Sequence, residues 1–352
     1  MFKIKQDGTF QSRLVAKGYD QIAGVDFQYN YAPVSNEITL RILLIMLVMK
    51  KFYREVADMQ TAFLYRQLDK DLYLKIPKGY QEYMKDKNQK IEGDFLKLNK
   101  SIYGLVQAAR SWWKKFVKTL INKMKFTKCQ SDGYLLKRKG KRGTCYLMIY
   151  VDDCFITREK TTVTEALNEI ERHFDIKRSR DIEDFIGCSI TIQENDIILS
   201  QPDLIKKLMM TFGEDVKKMK QYNIPASGGY KISKPETEEE KLTEEEQTKY
   251  RSGVGLLLYL LKHSRPDLSN CVRELIKTMS GANPAHYKAI LQVIKFMEQT
   301  KHHGLLLQPK TDEIEWRVKA FSDSDYAGDT DTRKSVSGFV IYLNNCPIAW
   351  RS

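Results

Sequence analysis

The chain has 352 residues, 42% of them hydrophobic and 29% charged, with 58 Lys and Arg against 45 Asp and Glu for a formal net charge of +13. This is the profile of a soluble globular protein long enough for two or more domains, and its basic balance favours a polyanionic partner, nucleic acid before anionic membrane. The longest apolar run, Ile38–Met49, is too short to span a bilayer and contains Arg41. The six cysteines (Cys129, Cys145, Cys154, Cys188, Cys271, Cys346) lack the spacing of a zinc site or a disulfide framework. With no signal peptide at its start, the chain is expected in the reducing cytosol or the nucleus.

In chain order, the opening stretch alternates apolar and polar residues around Asp7-Gly8, which reads as a hairpin. Asn36 is placed to cap a buried helix running from Glu37 to about Lys51. Phe52–Met59 reads as a strand carrying Asp58, and T-A-F-L-Y after it as the start of a helix. Between Gly104 and Met124 a helix is expected, with Trp113, Phe116, Val117, Leu120 and Met124 inward and Arg110, Lys114, Lys115, Lys118 and Lys123 outward. A basic turn, Lys137–Gly143, precedes L-M-I-Y-V-D-D-C-F-I (Leu147–Ile156), a hairpin with Cys145–Val151 going in, Cys154–Thr157 coming out and Asp152-Asp153 at its tip.

Thr162-x-x-Glu165 reads as a capping box opening a helix to about His173. Short strands follow around Phe185–Ile192 and Ile197–Ser200, then a helix over Pro202–Phe212. Residues 222–246, rich in Pro, Gly, Ser and Glu, read as a mobile linker. Helices are expected near Glu244–His263, Pro266–Ser280 and Pro284–Thr300, and strands return over Trp316–Ser352 with a second acidic cluster, F-S-D-S-D-Y-A-G-D.

Adjacent aspartates between apolar strand runs are either turn chemistry or a site. If the Asp58 strand adjoins the hairpin in one antiparallel sheet, Asp58, Asp152 and Asp153 meet at one edge. Hard oxygen ligands of that kind suit two Mg²⁺ ions, with Mn²⁺ as a substitute, for in-line phosphoryl transfer. The residues alone carry the inference as far as a two-metal phosphoryl transferase acting on nucleic acid.

At these positions the chain resembles the reverse transcriptases of copia-type retrotransposons. The resemblance rests on Y-V-D-D (Tyr150–Asp153), D-M-Q-T-A-F-L (Asp58–Leu64) against the family's D-V-K-T-A-F-L, and L-N-K-S-I-Y-G-L-V-Q-A-A-R-S-W-W (Leu98–Trp113). S-R-L-V-A-K-G-Y, Y-A-P-V, L-Y-L-K-I-P-K-G-Y, Y-R-S-G-V-G-L-L-L-Y-L and S-R-P-D-L also match, and F-S-D-S-D-Y-A-G-D-T-D-T-R-K-S-V-S-G-F-V resembles the start of the family's RNase H domain. The matches run in family order from about Gln11 to Ser352.

The resemblance implies an α+β, right-hand polymerase fold with fingers, palm and thumb, an antiparallel palm sheet, a helical connection and an incomplete RNase H-like piece. The corresponding division is 1–200 for fingers and palm, 201–310 for thumb and connection, and 311–352 for the RNase H-like segment. It implies Asp58, Asp152 and Asp153 as catalytic Mg²⁺ ligands, Phe63 as the gate against a ribose 2′-OH, and Gln107 beside the incoming dNTP. Arg13 and Lys17 would meet the triphosphate, and Phe185 and Gly187 would lie at the primer grip. The implied partners are an RNA template, a DNA primer or RNA–DNA hybrid, dNTPs and the remaining Pol polyprotein domains; the implied setting is cytoplasm, nucleus or a virus-like particle.

Departures from the family pattern are Tyr65-Arg66-Gln67 in place of N-G-D, Val106 and Ala109 in place of Lys and Pro, and Gln11 in place of Lys. Asp323 matches the first RNase H carboxylate only, and one carboxylate cannot run a two-metal nuclease, so RNase H activity is not expected. The rival readings are an inactive retroelement relic that at most binds nucleic acid, and an unrelated two-metal nuclease, which leaves the ordered motifs unexplained.

Overall fold

In a computed structural model the chain is described at residues 2–4, 8–32, 35–65, 67–68, 70–89, 91, 93–140, 143–182, 185–233, 237, 241–310, 315–329 and 332–352, without the side chains of Lys3 and Gln11. Asp7 of the first turn, Arg66, Lys141 and Arg142 of the basic turn, and parts of the Y-A-P-V, linker and RNase H-like stretches lie outside the described residues. Two compact units form, Met1–Asn36 with Tyr53–Arg180, and Glu37–Phe52 with Asp181–Ser352.

The first unit is built on a six-stranded antiparallel sheet. Its strand order is Ile176–Ser179, Tyr53–Met59, Asp153–Arg158, Gly143–Tyr150, Leu135–Gly140 and Thr127–Lys128. Strand alternation sends Ala57, Met59, Cys154, Ile156, Leu147 and Ile149 to one face. There they pack with helices Ala108–Asn122 and Lys160–Glu171 through Trp112, Phe116, Leu120, Val163, Leu167 and Ile170. The helical spacing of Trp112, Phe116 and Leu120 aims one stripe at the sheet. Trp112 stacks on Phe116 at 5.1 Å and meets Phe174 edge-on at 5.4 Å. Here the structure corrects the expectation of Trp113 as the core tryptophan. Trp112 is 1% exposed, whereas Trp113 is half-buried beneath the Lys128 ammonium at 4.6 Å.

A smaller cluster, Ala16, Leu72, Leu105 and Ala108, ties the early chain to residues 98–108. Its backbone clamp is tight: Ala16 N–H donates to the Tyr103 carbonyl at 2.8 Å, and Val15 and Tyr103 form a parallel bridge. Gly104 has φ +88°, and a Cβ there would lie 2.1 Å from the Ala16 oxygen; one on Gly18 would lie 2.1 Å from the Gly104 oxygen. Two glycines thus permit backbone against backbone.

The second unit is largely helical. Glu37–Met49 is apolar and mostly buried, and Pro202–Lys217, Glu244–His263, Ser269–Ile276 and Pro284–Gln299 supply a common core around Phe212, Tyr250, Leu257 and Ile294. Capping boxes open two of them, Thr243 with Glu246 and Asn283 with His286. Two three-stranded antiparallel sheets complete it. One joins Ser189–Ile192, Ile197–Ser200 and Leu305–Leu307; the other joins Val318–Ser324, Ser337–Leu343 and Cys346–Arg351. The buried Arg41 guanidinium donates to the Ile348 and Lys262 carbonyls at 2.7 and 2.5 Å and lies 4.0 Å from the Trp350 ring centre. No helix among the described residues is long and apolar enough to cross a membrane.

Several local expectations are corrected. Thr162-x-x-Glu165 does not open its helix, which starts at Lys160 after an N-cap Glu159 without a side-chain cap. Residues three apart share a helix face anywhere along it, so the spacing fits a position inside the helix as well as its start, and Val163, Ala166 and Leu167 beside it pack into the core. Ala62–Tyr65 is a single 3₁₀ turn. Pro266–Ser280 divides into a 3₁₀ turn, Pro266–Leu268, and the helix Ser269–Ile276. The strand near Phe185 begins only at Ser189, because Phe185–Cys188 closes a tight turn with Ile186 and Gly187 at φ 58° and 62°.

Gly104→Ala is expected to cost about 2–4 kcal/mol, from overpacking plus left-handed strain, measured by urea unfolding. In the second unit, His263 is buried against Tyr259, with ring centres 4.5 Å apart. Burial first, then the Arg41 and Lys262 cations, depress its pKa from 6.5 to about 4, with Glu37 opposing. Between those values the unfolded chain binds a proton that the folded chain refuses. Stability from this residue is therefore full above about pH 6.5 and falls by roughly 1.4 kcal/mol per unit down to about pH 4. His263→Phe should flatten that part of the pH–stability profile; unchanged slopes would contradict the assignment.

Candidate active site on the central sheet

The Tyr53–Met59 strand pairs with Asp153–Arg158 in a register that sets Asp58 directly opposite Asp153, and Asp153 opposite Tyr150 on the next strand. Directly opposed residues share a face, so Asp58, Asp153 and Tyr150 lie on the face opposite the helix-covered one. Asp153 thus opens the outgoing strand, and the hairpin tip is the two-residue turn Val151–Asp152. Met59 N–H donates to the Asp152 carbonyl at 2.8 Å, fastening this turn to the Asp58 strand.

Val151 takes φ 55°, a left-handed value that costs a β-branched residue strain. Its carbonyl accepts from the Trp112 indole N–H at 2.9 Å, so the core of the first unit holds the turn in place. All three aspartates are half-buried. Burial raises the Asp152 carboxyl above its ordinary pKa; its own backbone N–H opposes this, the Asp58 charge adds to it, and the Arg13 cation opposes it. The Gln60 amide donates to Asp58 Oδ2 at 2.6 Å.

Around the acids, the Arg13 guanidinium lies 4.8 Å from the Tyr103 ring centre, and Phe63 meets the same ring edge-on at 4.8 Å. Phe63 is half-buried, packing on both apolar clusters of the first unit while touching Tyr103. Gln107 donates to the Asp26 carbonyl at 3.3 Å and accepts from the Gln21 amide at 3.2 Å. It borders a pocket of about 270 Å³ with Tyr29, Lys70, Arg110 and Lys114. Arg110, expected on a solvated face, is half-buried, donating to the Tyr31 carbonyl at 3.0 Å over the Tyr29 ring. Lys17 is exposed at the start of a 3₁₀ turn.

Phe185 and Gly187 belong to the second unit, where Tyr259 donates to the Ile186 carbonyl at 3.0 Å. Asp323 is there too, exposed on the Val318–Ser324 strand opposite Gly338 and bordering a cavity of about 910 Å³.

Among the described residues, no three His, Cys, Asp or Glu side chains converge into a ready-made metal cage. Mg²⁺ needs no such cage, since it keeps several waters and binds through one or two carboxylates plus substrate phosphates. An all-oxygen set whose Asp58 and Asp152 charges already feel each other fits that demand. Residues that sequence reading passed over are Tyr103, Trp112, Gln60 and Gln21. Gln60 lies inside the Asp58–Leu64 motif and Tyr103 and Trp112 inside Leu98–Trp113, but only the four-residue spacing of Trp112 to Phe116 and Leu120 pointed to a structural role.

The family profile described as reverse transcriptase (RNA-dependent DNA polymerase) matches residues 1–226. A retrovirus-related Pol polyprotein from transposon TNT 1-94 of Nicotiana tabacum is 29% identical over 100% of this chain. The Pol polyprotein from transposon RE2 of Arabidopsis thaliana is 31% identical over 99%. This chain spans 26% and 23% of those polyproteins. Among solved structures, a foamy viral protease-reverse transcriptase in complex with double-stranded DNA is similar at a TM-score of 0.44 and 14% identity, over 99% of this chain and 50% of that one. With the family profile covering well over half its length and copia-type Pol polyproteins aligning along all of it, the chain belongs to the reverse transcriptase (RNA-dependent DNA polymerase) family.

Proposed function

We propose that this chain is the RNA-directed DNA polymerase part of a copia-type Pol polyprotein, extending a DNA primer along an RNA template with dNTPs. The observation that carries the proposal is the register pairing Asp58 with Asp153 beside Asp152 in the strained turn. In this reading Asp58, Asp152 and Asp153 would hold Mg²⁺ or Mn²⁺. Bound there, the ions would acidify the primer 3′-hydroxyl and neutralise charge on the triphosphate.

The chain's own side chains have separate tasks. Arg13, whose charge already reaches Asp152, would receive the triphosphate, with Lys17 nearby in sequence as a second cation. Phe63 would crowd the sugar 2′ position, and Gln107, held by Asp26 and Gln21, would keep its amide beside the nucleotide. Phe185 and Gly187 would contact the primer, and the net charge of +13 would retain the hybrid through its phosphates. Fingers and palm within 1–200, thumb and connection within 201–310, and an RNase H-like segment at 311–352 containing Asp323 form the matching division.

Primer extension on an RNA template with dNTPs and Mg²⁺ tests the proposal. Asp58→Asn and Asp152→Asn are each expected to lower kcat by at least about a hundredfold while circular dichroism and melting stay native. Undiminished extension by either variant would refute the site. Hybrid binding without extension under Mg²⁺ or Mn²⁺ would select the inactive relic.

A further inference from the structure

We propose that Tyr103 is a positioning residue that couples the sugar-facing Phe63 to the triphosphate-facing Arg13, so that one ring sets both ends of the nucleotide site. The inference rests on the polymerase reading above and assigns a role to a residue outside its catalytic set.

Three observations converge on this side chain. Its backbone is fixed: the carbonyl accepts from Ala16 N–H at 2.8 Å, Val15 bridges to it, and Gly104 follows at φ +88° with no space for a Cβ. Its ring is engaged by both partners, with the Phe63 ring edge-on at 78° and 4.8 Å and the Arg13 guanidinium at 4.8 Å. It also lies in the field of the acids: burial raises the phenol's pKa, Arg13 opposes, and Asp152 and Asp58 add to the rise.

The physical consequence is a relay of position. An edge-to-face contact resists rotation of Phe63, and a guanidinium over the ring is drawn to its electron-rich face. The Arg13 side chain is exposed, and a ring contact that narrows its orientations before the triphosphate arrives lowers the cost of binding. Because both contacts are made by the ring, the hydroxyl is dispensable and phenylalanine should substitute.

The test uses the full chain on an RNA template with a dideoxy-terminated DNA primer, and measures equilibrium binding of the next dNTP and of its rNTP counterpart. Wild type should prefer the dNTP. Tyr103→Leu should weaken dNTP binding by about tenfold and reduce the dNTP-to-rNTP preference by about tenfold, and Tyr103→Phe should restore both to within about twofold. In extension assays, KM should rise while kcat changes little.

Unchanged binding and preference in Tyr103→Leu would overturn the inference while leaving the polymerase reading intact. So would weaker binding with the preference untouched. If Tyr103→Leu fails to fold, a double-mutant cycle decides: Arg13→Met and Phe63→Val should be non-additive in dNTP affinity by at least about threefold, and additivity would overturn the coupling. Absence of dNTP binding by wild type would remove the polymerase reading and this inference together.

Discussion

The pairing of the Tyr53–Met59 strand with the Asp153–Arg158 strand is the constraint on which the site depends. Side chains alternate along a strand, so a slip of one residue would turn Asp58 toward the helices and Ala57 and Met59 toward the open face. The register is enforced from behind. Ala57, Met59, Cys154 and Ile156 are each almost fully buried, and none can exchange places with a carboxylate without stranding charge in the core. The packing that stabilises the sheet therefore also sets Asp58 and Asp153 opposite each other on the open face.

Gathering acids is unfavourable by itself, and the surroundings show how it is borne. The raised pKa of Asp152 records burial and the nearby Asp58 charge, while Arg13 offsets part of the repulsion. Gln60 offers Asp58 a neutral donor. A divalent cation would relieve the same repulsion more fully, and repulsion left standing in the protein alone is what makes such a site receptive to one. The strained Val151 turn belongs to this arrangement. Trp112 anchors its carbonyl from the helix beneath, so strain at the tip is supported by core packing that has no part in the chemistry.

Much of this was legible in the residues. Adjacent charges between apolar strand runs marked Asp152 and Asp153, and Asp58 near the end of its own strand marked the third acid. The conditional step, that their strands adjoin, needed the fold. Periodicity located the helix before the hairpin but chose Trp113, because adjacent tryptophans differ by only about 100° around a helix and the neighbouring sheet decides which one is enclosed. The Thr162–Glu165 spacing misled for a related reason, since a capping pattern within a helix looks the same as one at its start. Tyr103 stands inside the Leu98–Trp113 motif, but nothing linear announced its parallel bridge to Val15 or its edge contact with Phe63, both far away in sequence. The primer-grip assignment of Phe185 and Gly187 comes from resemblance alone, and the turn they occupy depends on a positive φ at Ile186 that its side chain disfavours.

The most direct measurement of the central claim is divalent-ion binding at the acids, independent of turnover. Mn²⁺ titration followed by electron paramagnetic resonance, with RNA template, dideoxy-terminated primer and matching dNTP, reports both the number of bound ions and their spin coupling. Two spin-coupled ions are expected in the native chain, with loss of the coupled pair in Asp58→Asn. An Asp58→Asn protein that binds the same coupled pair as the native chain would contradict it.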